Sequence, residues 1–437
     1  MSREGDFRYV MQNFDIANLP KILPRDIKIP LNLNLIITVT GPRRAGKTYV
    51  MFGIMNQLMA QIPQKNILYI NFESERLRNL DANDLESALK VFYELNNPSE
   101  PIYIFLDEIQ NVKDWERWAR SIFDRGNFRI YITGSSSKLS SKDIATALRG
   151  RSIEYTVFPL SFAEFLKFND FQIDSVDALT YSDRRGVITG KLMEYLEYGS
   201  YPEVCLQHEV DIKYRVLTSY YQAILYRDIG ERSGAKQAIV NEVVLYLVSN
   251  YAKYISVSKI YNHLKGLGYR VSKQTIIDII NTANEAFFLF FAEIFSKSIK
   301  NRRQYPRKVY LVDTGIIKPA AVDSGIGRSM ENAVMVELLR RSAGEVYYWR
   351  EYGKAMGDEV DFVIKRGVKV YQLIQVTYAS DKNEIRDREK NALTRAGMEL
   401  GCSNLLIITW DYEGIIDNRI RCVPLWKWLL NTSDIQG

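Results

Sequence analysis

The sequence predicts an α/β protein whose first part is a parallel β-sheet covered by helices. Residues 34–160 alternate short apolar runs with helical stretches, and the runs are continuous rather than alternating in polarity. Continuous apolar runs are typical of strands that are buried on both faces, as in a parallel sheet with crossover helices. A glycine-rich loop directly follows the first run. The predicted strands are Leu35–Thr40, Ile67–Phe72, Ile102–Leu106, Arg129–Thr133 and Ile153–Phe158.

Length and composition indicate a globular chain of several domains. The 437 residues are 46% hydrophobic and 25% charged, which excludes a disordered tail, a collagen-like fibre and a low-complexity scaffold. No apolar run has the length of a membrane-spanning helix, and the N-terminus MSREGDFRYV lacks the pattern of a signal peptide. The three cysteines, Cys205, Cys402 and Cys422, are too few and too scattered for a disulfide framework or a zinc site. We therefore expect a cytoplasmic protein.

The strongest motif is the loop Gly41-Pro-Arg-Arg-Ala-Gly-Lys-Thr48, which fits G-x-x-x-x-G-K-[ST] between a predicted strand and a helix at Thr48–Met59. Such a loop turns its backbone N–H groups and the helix N-terminus toward phosphates. Lys47 would reach the β- and γ-phosphates, and the Thr48 hydroxyl would hold Mg²⁺. The predicted nucleotide-binding residues are Gly41, Pro42, Arg43, Arg44, Ala45, Gly46, Lys47, Thr48 and Tyr49.

Two acids end the third predicted strand. The run Ile102–Leu106 is followed by Asp107 and Glu108, which fits a Walker B strand. Asp107 would bind the hydration shell of Mg²⁺, and Glu108 would orient and deprotonate the attacking water. A second acid favours hydrolysis over binding alone, so ATP and Mg²⁺ are the predicted cofactors.

A polar strand end and two arginines complete the predicted ATPase site. In P-loop NTPases with a strand added between the P-loop and Walker B strands, a polar residue at the end of that strand contacts water and the γ-phosphate. Ser135 or Thr133 would fill this catalytic role here, with a plain serine-rich turn as the alternative. Arg149 and Arg151 are candidate arginine fingers toward a neighbouring subunit. They could equally be solvated or contact phosphate within the same chain.

Together these motifs resemble prokaryotic AAA-type ATPases, both archaeal and bacterial. Besides the loop, the resemblance rests on Asp107-Glu-Ile-Gln110 with Trp115, on Thr133-Gly-Ser-Ser, and on Gly150-Arg151 before Pro159-Leu-Ser-Phe-Ala-Glu-Phe165. The C-terminal half of such proteins carries a winged helix and a restriction-endonuclease-like domain. The resemblance implies an ATPase with a link to DNA and names no pathway.

The remaining chain follows that order. Residues 159–235 have a helical pattern, and residues 239–315 contain three helix patterns and two strand-like runs, which predict a winged helix. We expect a small α/β domain after it. The predicted domains are an ATPase domain at 1–158, a helical lid or linker at 159–235, a winged helix at 236–320 and a restriction-endonuclease-like domain at 321–437.

The net charge of +6 is concentrated in one stretch, because six basic residues and no acid lie between Lys297 and Lys308. A basic wing beside a recognition helix suits contact with the backbone of double-stranded DNA. The helix offers few side chains for reading bases. A protein contact or a lid over the nucleotide are the alternatives. The candidate DNA-binding residues are Lys273, Lys297, Lys300, Arg302 and Arg303.

The C-terminal segment is similar to the PD-(D/E)-x-K nuclease core in the order Glu331, Asp361 and Gln375. That chemistry needs carboxylates on Mg²⁺ and a lysine near the attacking water. Here Gln375 stands where a second acid is expected, and Thr377 stands where the lysine is expected. The interpretation is a degenerate nuclease site used for DNA or protein binding. A purely structural domain and an active nuclease are the alternatives.

The sequence thus predicts a Mg²⁺-dependent ATPase that is coupled to double-stranded DNA, with no membrane association. An ATP-dependent signalling switch that binds a protein partner is the main alternative, and an active Mg²⁺-dependent nuclease is the third. The oligomeric state stays open, with a homo-oligomer as one option.

Overall fold

The computed structural model describes residues 3–134, 147–173, 184–296, 298, 302, 305–320, 322, 325–351 and 357–430. The chain forms two compact units. The first contains Met1–Phe158 with Glu285–Phe287, and the second contains Pro159–Asn284 with Phe288–Gly437. Among the helices in these ranges, none combines the length and the apolar character needed to span a bilayer.

Parallel strands form the central sheet of the first unit, in the order β2-β3-β4-β1-β5 across the described residues. The strand β4 lies between the P-loop strand β1 and the Walker B strand β3, so the predicted α/β class with an added strand is confirmed. The bounds are β1 Ile36–Thr40, β2 Ile67–Asn71, β3 Ile102–Asp107, β4 Phe128–Thr133 and β5 Ser152–Thr156.

Helices cover both faces of this sheet. Successive residues of a strand point to opposite faces, so Ile102 and Ile104 pack in one apolar cluster while Tyr103 and Phe105 pack in the other. A capping box, in which Asp81 and Asp84 bond each other's backbone N–H groups, starts the third helix. The helices are α1 Arg3–Gln12, α2 Lys47–Met59, α3 Ala82–Asn96 and α4 Trp115–Asp124.

The second unit begins with helices. Ser161 and Glu164 form a capping box at the start of its first helix, and the hydroxyl groups of Ser256 and Ser272 accept bonds from the first turns of two later ones. A π-helical segment, Ile224–Gly230, continues one of the helices. The helices are α5 Phe162–Phe168, α6 Arg184–Tyr198, α7 Pro202–Cys205, α8 Val210–Ala223, α9 Gln237–Ser249, α10 Val257–Gly266 and α11 Lys273–Glu285.

A mixed sheet with the order β13-β14-β12-β11-β10-β9-β7-β8-β6 follows in the described part of this unit. Its strands are β6 Lys253–Ile255, β7 Leu289–Ile294, β8 Arg307–Leu311, β9 Glu345–Arg350, β10 Glu359–Arg366, β11 Lys369–Val376, β12 Leu405–Thr409, β13 Gly414–Ile416 and β14 Ile420–Pro424. Parallel pairing of β7 with β9 joins the predicted winged-helix strands to the predicted nuclease-like strands. The domain boundary at residue 320 stays a prediction, and strands on its two sides share one sheet.

Three further helices pack on this sheet or close to it: α12 Ile326–Arg340, α13 Asp387–Leu400 and α14 Leu425–Leu430. Helix α12 buries Val334 and Leu338 in the same apolar cluster as Phe362 and Ile374 of the sheet. Helix α13 buries Leu393 in the cluster on the other face. The side chains at the strand ends beside α12 are therefore enclosed by protein.

A buried carboxylate, Asp313, ties the end of α6 to the segment after β8. Its Oδ2 accepts hydrogen bonds from the backbone N–H of Ser200 at 2.7 Å and from the Ser200 hydroxyl at 2.8 Å. Its Oδ1 accepts a bond from the N–H of Gly315 at 2.8 Å. Gly199, at φ +76°, approaches so closely that a Cβ there would lie 1.7 Å from Asp313 Oδ1. Burial raises the pKa of Asp313 to about 6, although these bonds oppose the rise.

This raised pKa predicts a pH-dependent stability. The folded state holds the Asp313 proton more tightly than the unfolded chain, so the contribution of this group is most favourable below pH 4 and is lost as the pH rises toward 6. The resulting loss is about 3 kcal/mol at neutral pH. Urea unfolding of wild type and of Asp313→Asn at pH 4.5 and 7.5 measures it. We expect the stability of wild type relative to the variant to fall by about 2 kcal/mol between the two pH values, because at pH 4.5 the unfolded chain has already lost most of this proton. Asp211→Asn, on the exposed first turn of α8, is the control, and an equal pH dependence in both variants would contradict the expectation.

Candidate nucleotide-binding site and carboxylate cluster

The loop between β1 and α2 has the curvature that its glycines permit. Gly41 has φ +136°, and a Cβ at this position would lie 2.2 Å from the carbonyl oxygen of Val157. Gly46 has φ +95° and precedes the first residue of α2. Both positions therefore require glycine. The buried Lys47 bends back into the loop, where its Nζ donates to the carbonyl oxygens of Gly41 at 3.1 Å and Pro42 at 3.0 Å.

Asp107 lies directly beneath this loop and is fully buried. Its Oδ2 accepts hydrogen bonds from the hydroxyl groups of Thr48 at 2.8 Å and Tyr69 at 2.9 Å, and its Oδ1 accepts one from Thr133. Burial raises the pKa of Asp107, while the bonds from Thr133 and Thr48 oppose the rise. The two residues predicted from the sequence to organise a metal, Thr48 and Asp107, are therefore in direct contact.

Glu108 follows in a left-handed backbone conformation at φ +52°. Its N–H donates to the Thr133 hydroxyl at 3.0 Å, and its carboxylate accepts a bond from the amide of Gln110. Thr133 thus links the ends of β3 and β4. The sequence named Thr133 only as an alternative to Ser135, and Ser135 lies outside the described residues. Neither Tyr69 nor Gln110 was predicted, although Gln110 stands within the Asp107-Glu-Ile-Gln110 motif.

The arginines of this unit make ion pairs. Arg43 lies 3.7 Å from Glu73, measured from Nη1 to Oε1. The Arg151 guanidinium donates to both carboxylate oxygens of Asp124, at 2.8 and 3.2 Å. Arg149 has φ +52°. Arg151 is thus paired with Asp124, and the arginine-finger role of Arg149 and Arg151 stays a prediction.

The donor set suits a nucleotide with Mg²⁺. A hydroxyl and a carboxylate in contact are oxygen ligands of the kind that Mg²⁺ prefers, and an ammonium group lies inside the loop. Lys47 would hold phosphate oxygens, and Thr48 and Asp107 would hold the metal directly or through its water. When bound, Mg²⁺ would neutralise charge on the phosphates.

Family models match three parts of the chain: an AAA domain at residues 33–166, and domains of unknown function at 189–326 and 326–428. The uncharacterized protein MJ1544 of Methanocaldococcus jannaschii is 35% identical over 96% of this chain and 94% of its own length. The chain belongs to the same family. An uncharacterized protein of Haemophilus influenzae is another relative of this AAA-domain protein, 32% identical over 91% of the chain and 94% of the relative.

Solved structures with similar folds include the Walker-type ATPase PABY2304 of Pyrococcus abyssi, at 13% identity and a TM-score of 0.38. It covers 73% of this chain and 95% of its own. The Orc1 protein of Aeropyrum pernix, solved in complex with DNA, has 13% identity and a TM-score of 0.29, and covers 73% of this chain and 92% of its own. The match of residues 33–166 to the AAA-domain model, together with the parallel sheet and the loop before α2, shows that the first unit has the AAA-type P-loop ATPase fold.

A second cluster of charged groups lies in the second unit of the AAA-domain protein, around Lys308. The Lys308 Nζ lies 3.0 Å from Glu331 Oε1, 2.6 Å from Glu359 Oε1 and 2.9 Å from Asp361 Oδ1. Asp361 Oδ2 accepts bonds from the Gln375 amide at 2.7 Å and from the N–H of Val376 at 3.0 Å. The structure therefore brings together all the residues that the sequence assigned to a degenerate nuclease site.

Sequence reasoning missed Lys308 and Glu359 in this cluster. Lys308 was counted in the exposed basic run, but it is only 2% exposed. Two signals could have found them. Lys308 directly precedes the apolar residues 309–311 of β8. Glu359 stands two positions before Asp361, which places both carboxylates on one face of β10.

The electrostatics of the cluster are dominated by burial and by charge pairing. Burial opposes the charged form of Lys308, yet the carboxylates of Asp361 and Glu331 outweigh it and raise its pKa well above the ordinary value. Burial and the neighbouring Asp361 raise the pKa of Glu331 to about 7, against the effect of Lys308. The hydroxyl of Tyr310 donates to Glu331 Oε1 at 2.7 Å. Lys308 is thus an ammonium ion held by acids.

The candidate DNA-binding residues Lys273 and Arg302 contact different parts of the second unit. The Lys273 Nζ lies 3.2 Å from the Ser258 hydroxyl on the exposed face of α11. Arg302 Nη1 donates to the Tyr347 hydroxyl at 3.2 Å. Lys297, Lys300 and Arg303 lie outside the described residues. Because Lys308 is buried and paired, the surface charge of the basic run is smaller than the sequence indicates.

Proposed function

We propose that this protein hydrolyses ATP with Mg²⁺ and that the reaction is coupled to binding of double-stranded DNA. The observation that carries the ATPase proposal is the 2.8 Å contact between Thr48 and Asp107 beneath a loop that holds Lys47. This arrangement puts the proposed metal ligands and the proposed phosphate ligand next to one another. In such sites catalysis is mainly positioning and charge stabilisation.

Glu108 has the position for a general base. It directly follows Asp107, so its carboxylate stands next to the residues that would hold the metal and the phosphates. The amide of Gln110 bonds this carboxylate and restricts its orientation. Thr133 accepts from the N–H of Glu108 and donates to Asp107, which couples the base to the metal ligand. We assign Glu108 to activation of water and Thr133 to its positioning.

A cavity beside α2 is the proposed site of the nucleotide base. It has a volume of about 410 Å³ and is lined by the segment Ile22–Ile29 and by Tyr49, Val50 and Gly53 of α2. Tyr49 directly follows Thr48 in the chain, so the cavity lies next to the phosphate loop. Its walls combine apolar side chains with polar ones, including Asn56 and Gln57, a lining that suits a heteroaromatic ring with hydrogen-bonding edges. The Arg25 guanidinium donates to the carbonyl oxygens of Ala45 and Phe158, which fixes the segment against the loop.

The order of elements in the second unit supports the DNA part of the proposal. Helix α9, strand β6, helices α10 and α11 and the antiparallel strands β7 and β8 follow in the order of a winged helix. Lys273 lies at the start of α11, the proposed recognition helix. Contact with phosphates through Lys273 and Arg302 would make DNA binding strongly dependent on salt.

ATP hydrolysis and duplex binding, each measured at about 50 and 200 mM salt, test this coupling. We expect DNA to raise turnover at low salt. We expect Arg302→Glu combined with Arg303→Glu to weaken duplex binding about ten- to a hundredfold and to reduce the salt dependence by about two ion equivalents. Lys167→Glu, on the exposed side of α5, is the control and should bind DNA as wild type does.

An unchanged affinity in the double variant would contradict the wing contact. If DNA also leaves turnover unchanged, the ATP-dependent switch with a protein partner becomes the better explanation.

A further inference from the structure

We propose that the ammonium group of Lys308 is the resident cation of the second unit, at the position where the surrounding acids would otherwise bind a divalent metal ion. The proposal is independent of ATP hydrolysis and DNA binding. In this proposal Lys308 is the counter-ion of the surrounding acids. The proposal predicts that these acids bind a metal ion when the ammonium is removed.

The first argument is the geometry of the ammonium. A single atom, Lys308 Nζ, lies within 2.6–3.0 Å of oxygens from Glu331, Glu359 and Asp361. These acids come from helix α12 and strand β10, whereas Lys308 comes from β8. Convergence of carboxylates from separate elements on one point is the arrangement that holds a metal ion, at somewhat shorter distances. Here a side chain of the same chain fills that point.

The second argument is a buried oxygen with no partner. Gln375 donates its amide N–H to Asp361, and its Oε1 is buried without a hydrogen-bond partner among the described residues. The Gln375 side chain is 8% exposed, so water has little access to it. An amide oxygen is a good ligand for a hard divalent cation. The cluster therefore contains a ligand atom that Lys308 leaves unused.

The third argument is charge. The described cluster sets three carboxyl groups against one ammonium, which leaves a formal charge of 1 − 3 = −2 when Glu331 is ionised and 1 − 2 = −1 when Glu331 holds its proton. Arg350 acts on Glu359 and offsets part of this excess. A buried excess of negative charge is unfavourable and favours a cation of higher charge. Replacing Lys308 by alanine leaves three acids, the Gln375 oxygen and the space of a lysine side chain, which suits one divalent ion.

Mn²⁺ binding to the full chain, followed by electron paramagnetic resonance of free Mn²⁺, tests the proposal. We expect Lys308→Ala to gain one Mn²⁺ site with an affinity at least about tenfold above wild type. We expect Mn²⁺ at about ten times its dissociation constant to raise the melting temperature of this variant by about 3–6 °C. Adding Asp361→Asn should abolish both effects. The control is Lys318→Ala, because Lys318 pairs with Glu197 at 2.6 Å on an exposed surface.

Two results would overturn the proposal. One is stoichiometric Mn²⁺ binding by wild type that Asp361→Asn removes, because the metal would then displace the ammonium. The other is a Lys308→Ala protein whose binding and melting temperature are the same with and without Mn²⁺. If Lys308→Ala is unfolded without metal, folding on addition of Mn²⁺ supports the proposal. The milder Lys308→Ala, Glu331→Gln variant keeps two acids and the amide oxygen and is judged by the same two readouts.

Discussion

Glu108→Gln is expected to bind ATP as wild type does and to lose at least about a hundredfold in turnover, because the amide cannot accept a proton from the attacking water. The substitution keeps the size of the side chain and the bond between the Glu108 N–H and Thr133. Lys47→Ala is expected to affect the binding step that precedes hydrolysis, and so to weaken ATP binding itself. Steady-state hydrolysis, combined with binding of a fluorescent ATP analogue, separates the two effects.

The chain offers matched controls for both substitutions. Glu75→Gln changes an exposed acid that pairs with Arg78 on the surface, and Lys65→Ala removes an exposed lysine outside the loop. Both should hydrolyse ATP at the wild-type rate. Wild-type turnover in Glu108→Gln would assign the base to another residue, and unchanged ATP binding in Lys47→Ala would remove the loop from the site.

Gly199→Ala is expected to destabilise the second unit by about 4 kcal/mol or more, which is among the largest effects of a single substitution. The positive φ of +76° is unfavourable for alanine, and the added Cβ would lie 1.7 Å from Asp313 Oδ1 and 2.8 Å from the N–H nitrogen of Gly315. Relief of the clash must break hydrogen bonds to a buried carboxylate. Urea unfolding followed by circular dichroism measures the loss.

Gly190→Ala is the matched control for this prediction. Gly190 lies within α6, and a Cβ there has no neighbour within 4 Å among the described residues. Alanine is favoured over glycine in a helix by about 0.5–1 kcal/mol, so this variant should be slightly more stable than wild type. Equal stabilities of Gly199→Ala and Gly190→Ala would show that the segment after Tyr198 relaxes at little cost.

Local motifs account for what could be predicted from the sequence. The loop from Gly41 to Thr48 and the apolar run before Asp107 each depend on neighbours a few positions away, and these elements agree with the structure. The contacts of Tyr69 and Thr133 with Asp107 depend on strands that only the fold brings together. The pattern of hydrophobic residues along a sequence predicts which side chains are buried. It does not predict which distant residue a buried polar side chain bonds.

The same limit explains Lys308 and Asp313. A lysine in a basic run reads as a surface charge, because its acids stand 23 and 53 positions later in the chain. Asp313 likewise accepts a hydrogen bond from Ser200, which lies 113 positions earlier in the chain. The order of Glu331, Asp361 and Gln375 could be predicted because the PD-(D/E)-x-K nuclease core has a characteristic order of residue types that links distant positions. The lysine was expected at the position of Thr377, whereas the ammonium in the cluster comes from Lys308 on β8.

The pairing of β7 with β9 has a consequence for how this protein can be divided. A fragment that stops before α12 would expose the long edge of β7, with its unpaired N–H and C=O groups, to other chains. It would also lack the acids of α12 and β10 that bind the Lys308 ammonium. Because they share one sheet and one buried ion cluster, we expect the wing strands and the strands that follow residue 345 to unfold together.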